Sequence, residues 1–156
     1  LTAKLREMGA SIECGKDFII AGSEGRLKAS EVKTLPYPGF PTDMQAQLMT
    51  AMCLAEGTSS VTETIFENRF MHVSELSRMG ANINIHERTA VIHGVKTLEG
   101  APVAATDLRA GAAMVLAGLV AQGHTEISQI YHIDRGYEDL VGRINRLGAD
   151  ITRIEG

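Results

Sequence analysis

Arginine recurs at the predicted beginnings of helices in this sequence. Arg69 follows Asn68 and Arg135 follows Asp134, and both preceding residue types are good N-caps. A helix N-terminus carries partial positive charge, so a cation in the first turn is unfavourable unless an anion lies nearby. Free helical N–H groups and a guanidinium together suit a phosphate or a carboxylate. The pattern indicates anionic ligands, and pairing of each arginine with a nearby acidic residue is the alternative.

An aspartate stands at the predicted beginning of each of two other helices. Arg109 lies two residues after Asp107, the predicted N-cap of its helix, and so repeats the arrangement. Asp43 begins the corresponding helix in PYPGFPTDMQAQ, where prolines stiffen the approach and fix the position of its side chain. An N-cap would account for Asp43, whereas a carboxylate held beside a substrate hydroxyl can act as a general base. The residues alone leave both roles open.

Composition places the chain among ordinary globular domains. Its 156 residues are 44% hydrophobic and 22% charged, which is enough for one core. A formal net charge of -4 gives no general reason to expect nucleic acid or an anionic membrane as a partner. No apolar run approaches the roughly 18 residues of a membrane span. Any anion that binds must therefore be held by a few local cations.

No metal or cofactor site is predicted. The five histidines and two cysteines show no metal-binding spacing, and the sequence has no GxGxxG motif, Walker-type loop or nucleophile elbow. Cys14 and Cys53 lie far apart and match no disulfide pattern, and the chain does not open with a secretory leader. We expect two reduced thiols in a cytoplasmic protein.

Internal repetition fixes the expected architecture. The segment LREMGASI returns as LSRMGANI and again as INRLGADI, with glycines at Gly9, Gly80 and Gly148. Between these marks, PTDMQAQ parallels ATDLRAG, and AEGTSSVTETIFENRF parallels AQGHTEISQIYHIDRGY. Asp43 thus corresponds to Asp107, and the FENR arginine corresponds to the HIDR arginine.

Each repeat is predicted to contain a helix, a strand, a second helix and a further strand. Apolar residues recur at helical spacing in the first helices, and glycine turns end them. Residues 61–65 and 125–131 are predicted strands because they are rich in β-branched residues. The second helices stop at the repeated glycines. Residues 82–85 and 90–93 then read as a β-hairpin.

The repeats predict the domain organisation. Residues 1–36 read as the end of one repeat, 37–100 as a second and 101–156 as a third. The chain opens in helical register with no capping residue, so we expect the first repeat to enter midway and the protein to extend upstream. A frayed N-terminus is the alternative.

The motifs PGFPTDMQAQ, TIFENRFMHVSELSRMGA, TDLRAGA and YHIDRGYE, in this order, resemble the family of enolpyruvyl transferases that act on UDP-N-acetylglucosamine. The match covers nearly the whole chain. The resemblance implies an α/β (α+β) fold of repeated βαβαββ units forming an inside-out α/β barrel, with helices within and sheets outside. This chain would be part of the C-terminal domain, and the first domain would be absent.

The resemblance also implies an activity. Members of this family transfer the enolpyruvyl group of phosphoenolpyruvate to the 3-hydroxyl of UDP-N-acetylglucosamine, with release of phosphate, in peptidoglycan precursor synthesis. By similarity, Asp43 would be the general base, and Ile65 and Phe66 would line the nucleotide-sugar site. Arg135 resembles the arginine that closes on phosphoenolpyruvate.

Further positions of the cleft follow from the same resemblance. Arg69 would bind substrate, and Asp107 and Arg109 resemble residues that face the cleft between the two domains. The family's general acid is a cysteine on a loop of the first domain, and neither Cys14 nor Cys53 has the surroundings of that loop.

Turnover is therefore expected only when the missing N-terminal domain is present, and the truncated domain could self-associate. The alternatives are a noncatalytic nucleotide-sugar-binding module and an enolpyruvyl transferase with shikimate 3-phosphate as acceptor. Neither nucleic acid nor a membrane is an expected partner.

Overall fold

The computed structural model describes residues 1–154 and has mixed helical and sheet content. The helices are α1 Thr2–Glu7, α2 Gln45–Cys53, α3 His72–Arg78, α4 Leu108–Val120, α5 Tyr131–Asp134 and α6 Leu140–Arg146, with a 3₁₀ helix at Thr42–Met44. The strands are β1 Ser11–Cys14, β2 Ile19–Gly22, β3 Glu31–Lys33, β4 Thr58–Thr62, β5 Asn82–His86, β6 Thr89–His93, β7 Pro102–Ala104 and β8 Glu126–Ser128. The second repeat follows the predicted order of helix, strand, helix and further strands. In the third repeat, α5 and α6 both follow β8, and within residues 1–154 the strand predicted after Gly148 does not form.

The three repeated glycines end helices in the same way. Gly9, Gly80 and Gly148 follow α1, α3 and α6 with φ of +98°, +90° and +95°. Glycine adopts this left-handed conformation without the strain that a Cβ would introduce, so the helix stops there. Each glycine N–H donates to a carbonyl three residues back, at 2.9 to 3.0 Å. The predicted helix ends are confirmed.

The strands form three small sheets. The largest has the order β3-β4-β6-β5, in which β3 and β4 are parallel and the other two pairs are antiparallel. The predicted hairpin is confirmed as β5 and β6, with Ile83 opposite Ile92. The pair β1-β2 is antiparallel and the pair β7-β8 is parallel.

Two predicted strands are placed differently in the structure. The strand β4 ends at Thr62, so residues 63–65 leave the sheet, and β8 is only three residues long. The N–H groups of Ile65 and Phe66 donate to the Glu63 side chain, at 2.8 and 3.2 Å. A local side-chain acceptor has replaced sheet pairing at this point.

The helices α2 and α4 lie in the centre of the fold. Most residues of both helices are buried, which is typical of a helix packed on several sides. The core joins them to α3 and the largest sheet, and its fully buried side chains include Met49, Met52, Leu76, Ile92 and Met114. The strands β1 and β2 are mostly exposed. Central helices with peripheral sheets agree with the expected architecture.

Two predicted helix beginnings are wrong. The helix α3 begins at His72 rather than after Asn68, and the cap position Met71 makes no side-chain capping bond. The helix α6 begins after Asp139, whose side chain accepts from Gly142 N at 3.2 Å. Asp134 instead ends α5. Cap propensity is a local preference, and tertiary contacts override it at both places.

No helix within residues 1–154 is long and apolar enough to cross a membrane.

Candidate active site

Three of the predicted site residues converge on one carboxylate oxygen. Arg109 brings both Nε and Nη2 to 2.5 Å from Asp43 Oδ1. The Arg69 Nη1 atom lies 3.7 Å from the same oxygen. Arg109 belongs to the predicted third repeat, whereas Asp43 and Arg69 belong to the second. The alternative in which each arginine pairs with a nearby acidic residue is therefore correct for Arg69 and Arg109. Both arginines pair with the same residue, Asp43.

Packing of α2 against α4 brings this cluster together. Asp107 is the N-cap of α4, as predicted, and its Oδ1 accepts from Arg109 N at 2.7 Å and Ala110 N at 2.9 Å. A hydrogen bond joins the two helices directly, because the Thr50 hydroxyl of α2 donates to Ala113 O of α4 at 3.4 Å. Because the two helices begin at the same end of the fold, Arg109 reaches the turn that precedes α2.

Asp43 does not cap a helix, so that interpretation of the sequence is wrong. It lies in the 3₁₀ helix before α2, and neither the N-cap Pro41 nor Met44 makes a side-chain capping bond. The side chain of Asp43 is 61% exposed. Within residues 1–154, both arginines contact Oδ1 and no hydrogen bond involves Oδ2. One oxygen is anchored, and the other is available to a ligand.

The segment that carries Ile65 and Phe66 borders this cluster. Both side chains are partly exposed, at 38% and 47%. The Arg69 guanidinium lies over the Phe66 ring, with Cζ 4.1 Å from the centroid, in a cation–π contact. Arg69 therefore links the Ile65–Phe66 segment to Asp43. Arg69 precedes α3, so its predicted place in the first turn of that helix is wrong.

Within residues 1–154, Arg135 forms no ion pair with Asp43, unlike Arg69 and Arg109. It follows α5 and is exposed, so its predicted place in the first turn of the second helix is wrong. The side chain of Leu108 covers the neighbouring Gly136, and Ile133 packs against Gly111 of α4. These contacts place Arg135 near the end of α4 that carries Arg109.

Comparison with known proteins identifies the family. The family model described as EPSP synthase (3-phosphoshikimate 1-carboxyvinyltransferase) matches residues 1–144. The chain belongs to the EPSP synthase family.

Curated relatives of high identity to this EPSP synthase family member carry another enzyme name. It is 60% identical over 156 residues to UDP-N-acetylglucosamine 1-carboxyvinyltransferase 1 of Clostridium acetobutylicum, which covers 99% of this chain and 37% of that protein. The UDP-N-acetylglucosamine 1-carboxyvinyltransferase of Klebsiella pneumoniae is 57% identical over 155 residues, with the same coverage of each. The resemblance inferred from the motifs is confirmed. The chain spans about 37% of the length of these relatives.

Solved structures agree on the fold. The enolpyruvyl transferase NikO from Streptomyces tendae matches with a TM-score of 0.87 and 31% identity, over 96% of this chain and 35% of that chain. The EPSP synthase from Acinetobacter baumannii matches with a TM-score of 0.68 at 21% identity, over 99% of this chain and 37% of that chain. The latter shows the fold alone. The chain therefore has an enolpyruvyl transferase-like fold.

Two buried polar residues beside the site were missed in the sequence. Glu63 is 1% exposed and receives hydrogen bonds from both the Ile65–Phe66 segment and the turn before α2. Burial alone raises the pKa of its carboxyl, but these hydrogen bonds outweigh that effect and hold the pKa below its usual value. Gln45 is also 1% exposed, and within residues 1–154 neither of its amide atoms has a hydrogen-bond partner.

Gln45 lines a small pocket beneath the cluster. The pocket has a volume of about 10 Å³ and is also lined by Arg69, His72, Asp107 and Arg109. That volume suits roughly one water-sized polar group. A larger depression of about 440 Å³ lies elsewhere, against Arg6 and neighbouring loops, and contains none of the predicted site residues.

His72 is buried behind the pocket in its neutral form. It is 2% exposed, and its Nε2 lies 3.4 Å from Met49 Sδ. Burial lowers the pKa of His72 to about 4, against the smaller opposing effects of the Asp107 charge and a hydrogen bond to the Arg69 backbone. The imidazole is therefore uncharged at neutral pH.

His72 makes stability depend on pH. The unfolded chain binds a proton at this residue near pH 6.5, whereas the folded chain binds it near pH 4, so stability is lost as the pH falls between these values. We expect the free energy of unfolding to drop by about 2 kcal/mol from pH 7 to pH 5 through His72 alone. Urea unfolding at several pH values measures this slope.

The matched comparison for this slope uses another histidine. The His72→Gln variant should show a flatter pH dependence between pH 7 and pH 5, whatever its absolute stability. His124 is exposed, so His124→Gln should retain the slope of the parent. A His72→Gln variant as steep as the parent would contradict the assignment.

Neither cysteine belongs to the cluster. Cys53 is a fully buried free thiol on α2, and burial raises its pKa to about 12, which makes it a poor nucleophile. Cys14 is an exposed free thiol whose Sγ lies 3.7 Å from Arg6 Nη2. Within residues 1–154, no group of three or more metal-binding side chains is close enough to hold an ion.

Proposed function

We propose that this chain forms one wall of the active site of an enolpyruvyl transferase. The reaction moves the enolpyruvyl group of phosphoenolpyruvate to the 3-hydroxyl of UDP-N-acetylglucosamine and releases phosphate, for peptidoglycan precursor synthesis. The observation that carries the proposal is the carboxylate of Asp43, held through one oxygen by Arg109 and open to a ligand through the other. The high identity to enzymes named for this reaction supports the choice of substrates.

Asp43 acts as the general base in this proposal. Arg109 fixes the orientation of the carboxylate through Oδ1, and Oδ2 takes the proton of the sugar 3-hydroxyl. The hydroxyl oxygen then bonds to the central carbon of phosphoenolpyruvate while the general acid of the first domain protonates the methylene carbon, and a tetrahedral intermediate forms. Loss of phosphate, with removal of a proton from the resulting methyl group, restores the double bond. A positioned base of this kind contributes roughly 10²- to 10⁴-fold to the rate.

The arginines supply the positive charge that two anionic substrates require. Arg69 and Arg109 share one carboxylate, so each keeps donors for a phosphate or carboxylate. Arg135, near the same end of α4, is the arginine that closes on phosphoenolpyruvate. Ile65 and Phe66 line the nucleotide-sugar side of the cleft, where their exposed faces are available for contact. Asp107 caps α4 and so orients the first turn of that helix, which carries Arg109.

A first domain would supply the remainder of the site. The chain would be the C-terminal part of the enzyme, with repeats at 1–36, 37–100 and 101–156, and the general acid would lie in the first domain. Phe18, Ile19 and Ile20 are 49% to 64% exposed and would be covered by the rest of the enzyme. In isolation, this surface would favour self-association. We place the enzyme in the cytoplasm, which suits its two free thiols.

One rival acceptor is shikimate 3-phosphate, to which the matching family model owes its description. The relatives at 57% to 60% identity are named for UDP-N-acetylglucosamine, whereas the EPSP synthase structures are only 21% identical. These values favour the nucleotide sugar. The second rival is a noncatalytic module that binds a nucleotide sugar and stays inactive with any partner domain.

A chimera separates these possibilities. In the chimera, this chain replaces the matching segment of the Clostridium acetobutylicum relative, to which it is 60% identical. We expect phosphate release that requires both phosphoenolpyruvate and UDP-N-acetylglucosamine, and none with shikimate 3-phosphate. The native relative is the positive control, and the isolated chain is the negative control. A folded chimera without turnover, or one that prefers shikimate 3-phosphate, would overturn the proposal.

A further inference from the structure

Glu63 is a buried carboxylate that joins two separate segments of the site. It follows β4 and is 1% exposed. Its Oε1 accepts from Thr34 Oγ1 at 2.8 Å and from the N–H groups of Ile65 and Phe66 at 2.8 and 3.2 Å. Its Oε2 accepts from Thr42 Oγ1 at 3.0 Å. One oxygen therefore holds the Ile65–Phe66 segment, and the other holds the residue next to Asp43.

The carboxylate is satisfied by neutral donors. Within residues 1–154, no lysine or arginine forms an ion pair with Glu63. The nearby Arg88 donates to backbone carbonyls instead, that of Glu63 at 2.8 Å and that of Phe66 at 3.3 Å. Burial of a charge is costly unless hydrogen bonds compensate, and here four donors from three segments do so. The arrangement depends on the mutual placement of these segments.

We infer that Glu63 is a positioning residue that holds the Ile65–Phe66 segment and the Asp43 turn in fixed register. The inference rests on the proposed function, in which Ile65 and Phe66 contact the nucleotide sugar and Asp43 takes a proton from the same molecule. A base must lie within hydrogen-bond reach of its proton, and small displacements reduce the rate strongly. Glu63 touches no reacting atom, so its effect passes through the two segments that it joins.

A backbone hydrogen bond in the Asp43 turn, in which Glu63 takes no part, can be used to measure how well that turn is ordered. Met44 N donates to Pro41 O at 3.1 Å within the 3₁₀ helix that contains Asp43. We expect Glu63→Ala to speed hydrogen exchange at the Met44 amide about tenfold, because the Thr42 hydroxyl loses its acceptor. Glu63→Gln should restore protection, since its amide oxygen accepts from the backbone N–H groups and its NH₂ donates to the Thr42 hydroxyl.

The matched control is a second buried carboxylate. Glu75 on α3 is 9% exposed and accepts from Ala104 N at 2.9 Å, away from the turn. Glu75→Ala should lower stability without changing exchange at Met44. If Glu63→Ala does not fold, Thr42→Val removes only the link to the turn and should give the same increase. Unchanged exchange at Met44 in Glu63→Ala or Thr42→Val, or the same increase in Glu75→Ala, would overturn the inference.

The chimera supplies the functional measurement. We expect Glu63→Ala to raise KM for UDP-N-acetylglucosamine about tenfold and Glu63→Gln to return it close to the parent value. An equal loss in both variants would mean that the charge itself matters, which contradicts a positioning role. Hydrogen exchange is measured without substrate, so it decides the coupling of the two segments even if the chimera with Glu63 intact shows no turnover and the proposed function fails.

Discussion

Replacing Asp43 with asparagine is expected to lower kcat of the chimera at least 100-fold, because an amide cannot accept the proton of the sugar hydroxyl. The side chain keeps its size, and its oxygen can still accept from Arg109. Folding should be almost unaffected, since an exposed ion pair contributes little to stability. Phosphate release at saturating substrates measures the effect.

The control for Asp43→Asn removes an exposed carboxylate elsewhere. Glu138 is 87% exposed and pairs with Arg143 at 2.8 Å, so Glu138→Gln deletes the same charge without touching the cluster. It should leave kcat unchanged. An Asp43→Asn chimera with the kcat of its parent would exclude Asp43 as the base, whereas a higher KM alone would restrict Asp43 to binding.

Replacing Gly94 with alanine should be strongly destabilising. Gly94 follows β6, and its N–H donates to Gly57 O at 3.0 Å. A Cβ at this position would overlap the carbonyl oxygen of Ala55, which is backbone and cannot rotate away. The contact fixes the turn that joins α2 to β4, so relief of the overlap must displace one of these elements. We expect a loss on the order of 3 kcal/mol, measured as a lower urea midpoint.

A second glycine provides the comparison for Gly94→Ala. A Cβ at Gly25 would meet nothing within 4 Å, so Gly25→Ala should unfold near the parent midpoint. Equal midpoints for the two variants would show that the turn after α2 adapts easily. The packing of α2 against its neighbours would then have to be held by other contacts.

Helix ends were predictable from the sequence, whereas two helix beginnings were not. A glycine with positive φ is a local requirement, and it recurs at Gly9, Gly80 and Gly148. Caps compete with tertiary contacts. Arg69 lies over Phe66 and near Asp43, which keeps the segment around it out of α3. Of the caps predicted from the sequence, Asp107 is the one that forms within residues 1–154, at the beginning of a long buried helix.

The central contact of the site could not be derived from local pattern. Asp43 and Arg109 meet only because α2 packs against α4, and that packing depends on the whole core. The motifs did identify both residues as candidates. Glu63 left a weaker signal, since it is a lone acidic residue within the β-branched run VTETI, where a buried carboxylate is uncommon.

Titration of the isotope-labelled chain with UDP-N-acetylglucosamine, followed by amide chemical shifts, tests most directly whether this chain forms a wall of the active site. We expect perturbations to cluster at Asp43, Ile65 and Phe66, and the exposed residues of α6 to be unaffected. Perturbations confined to other parts of the chain would contradict the proposed wall of the active site. A complete absence of perturbations would also contradict it, if the ligand concentration is far above the one that saturates the Clostridium acetobutylicum relative.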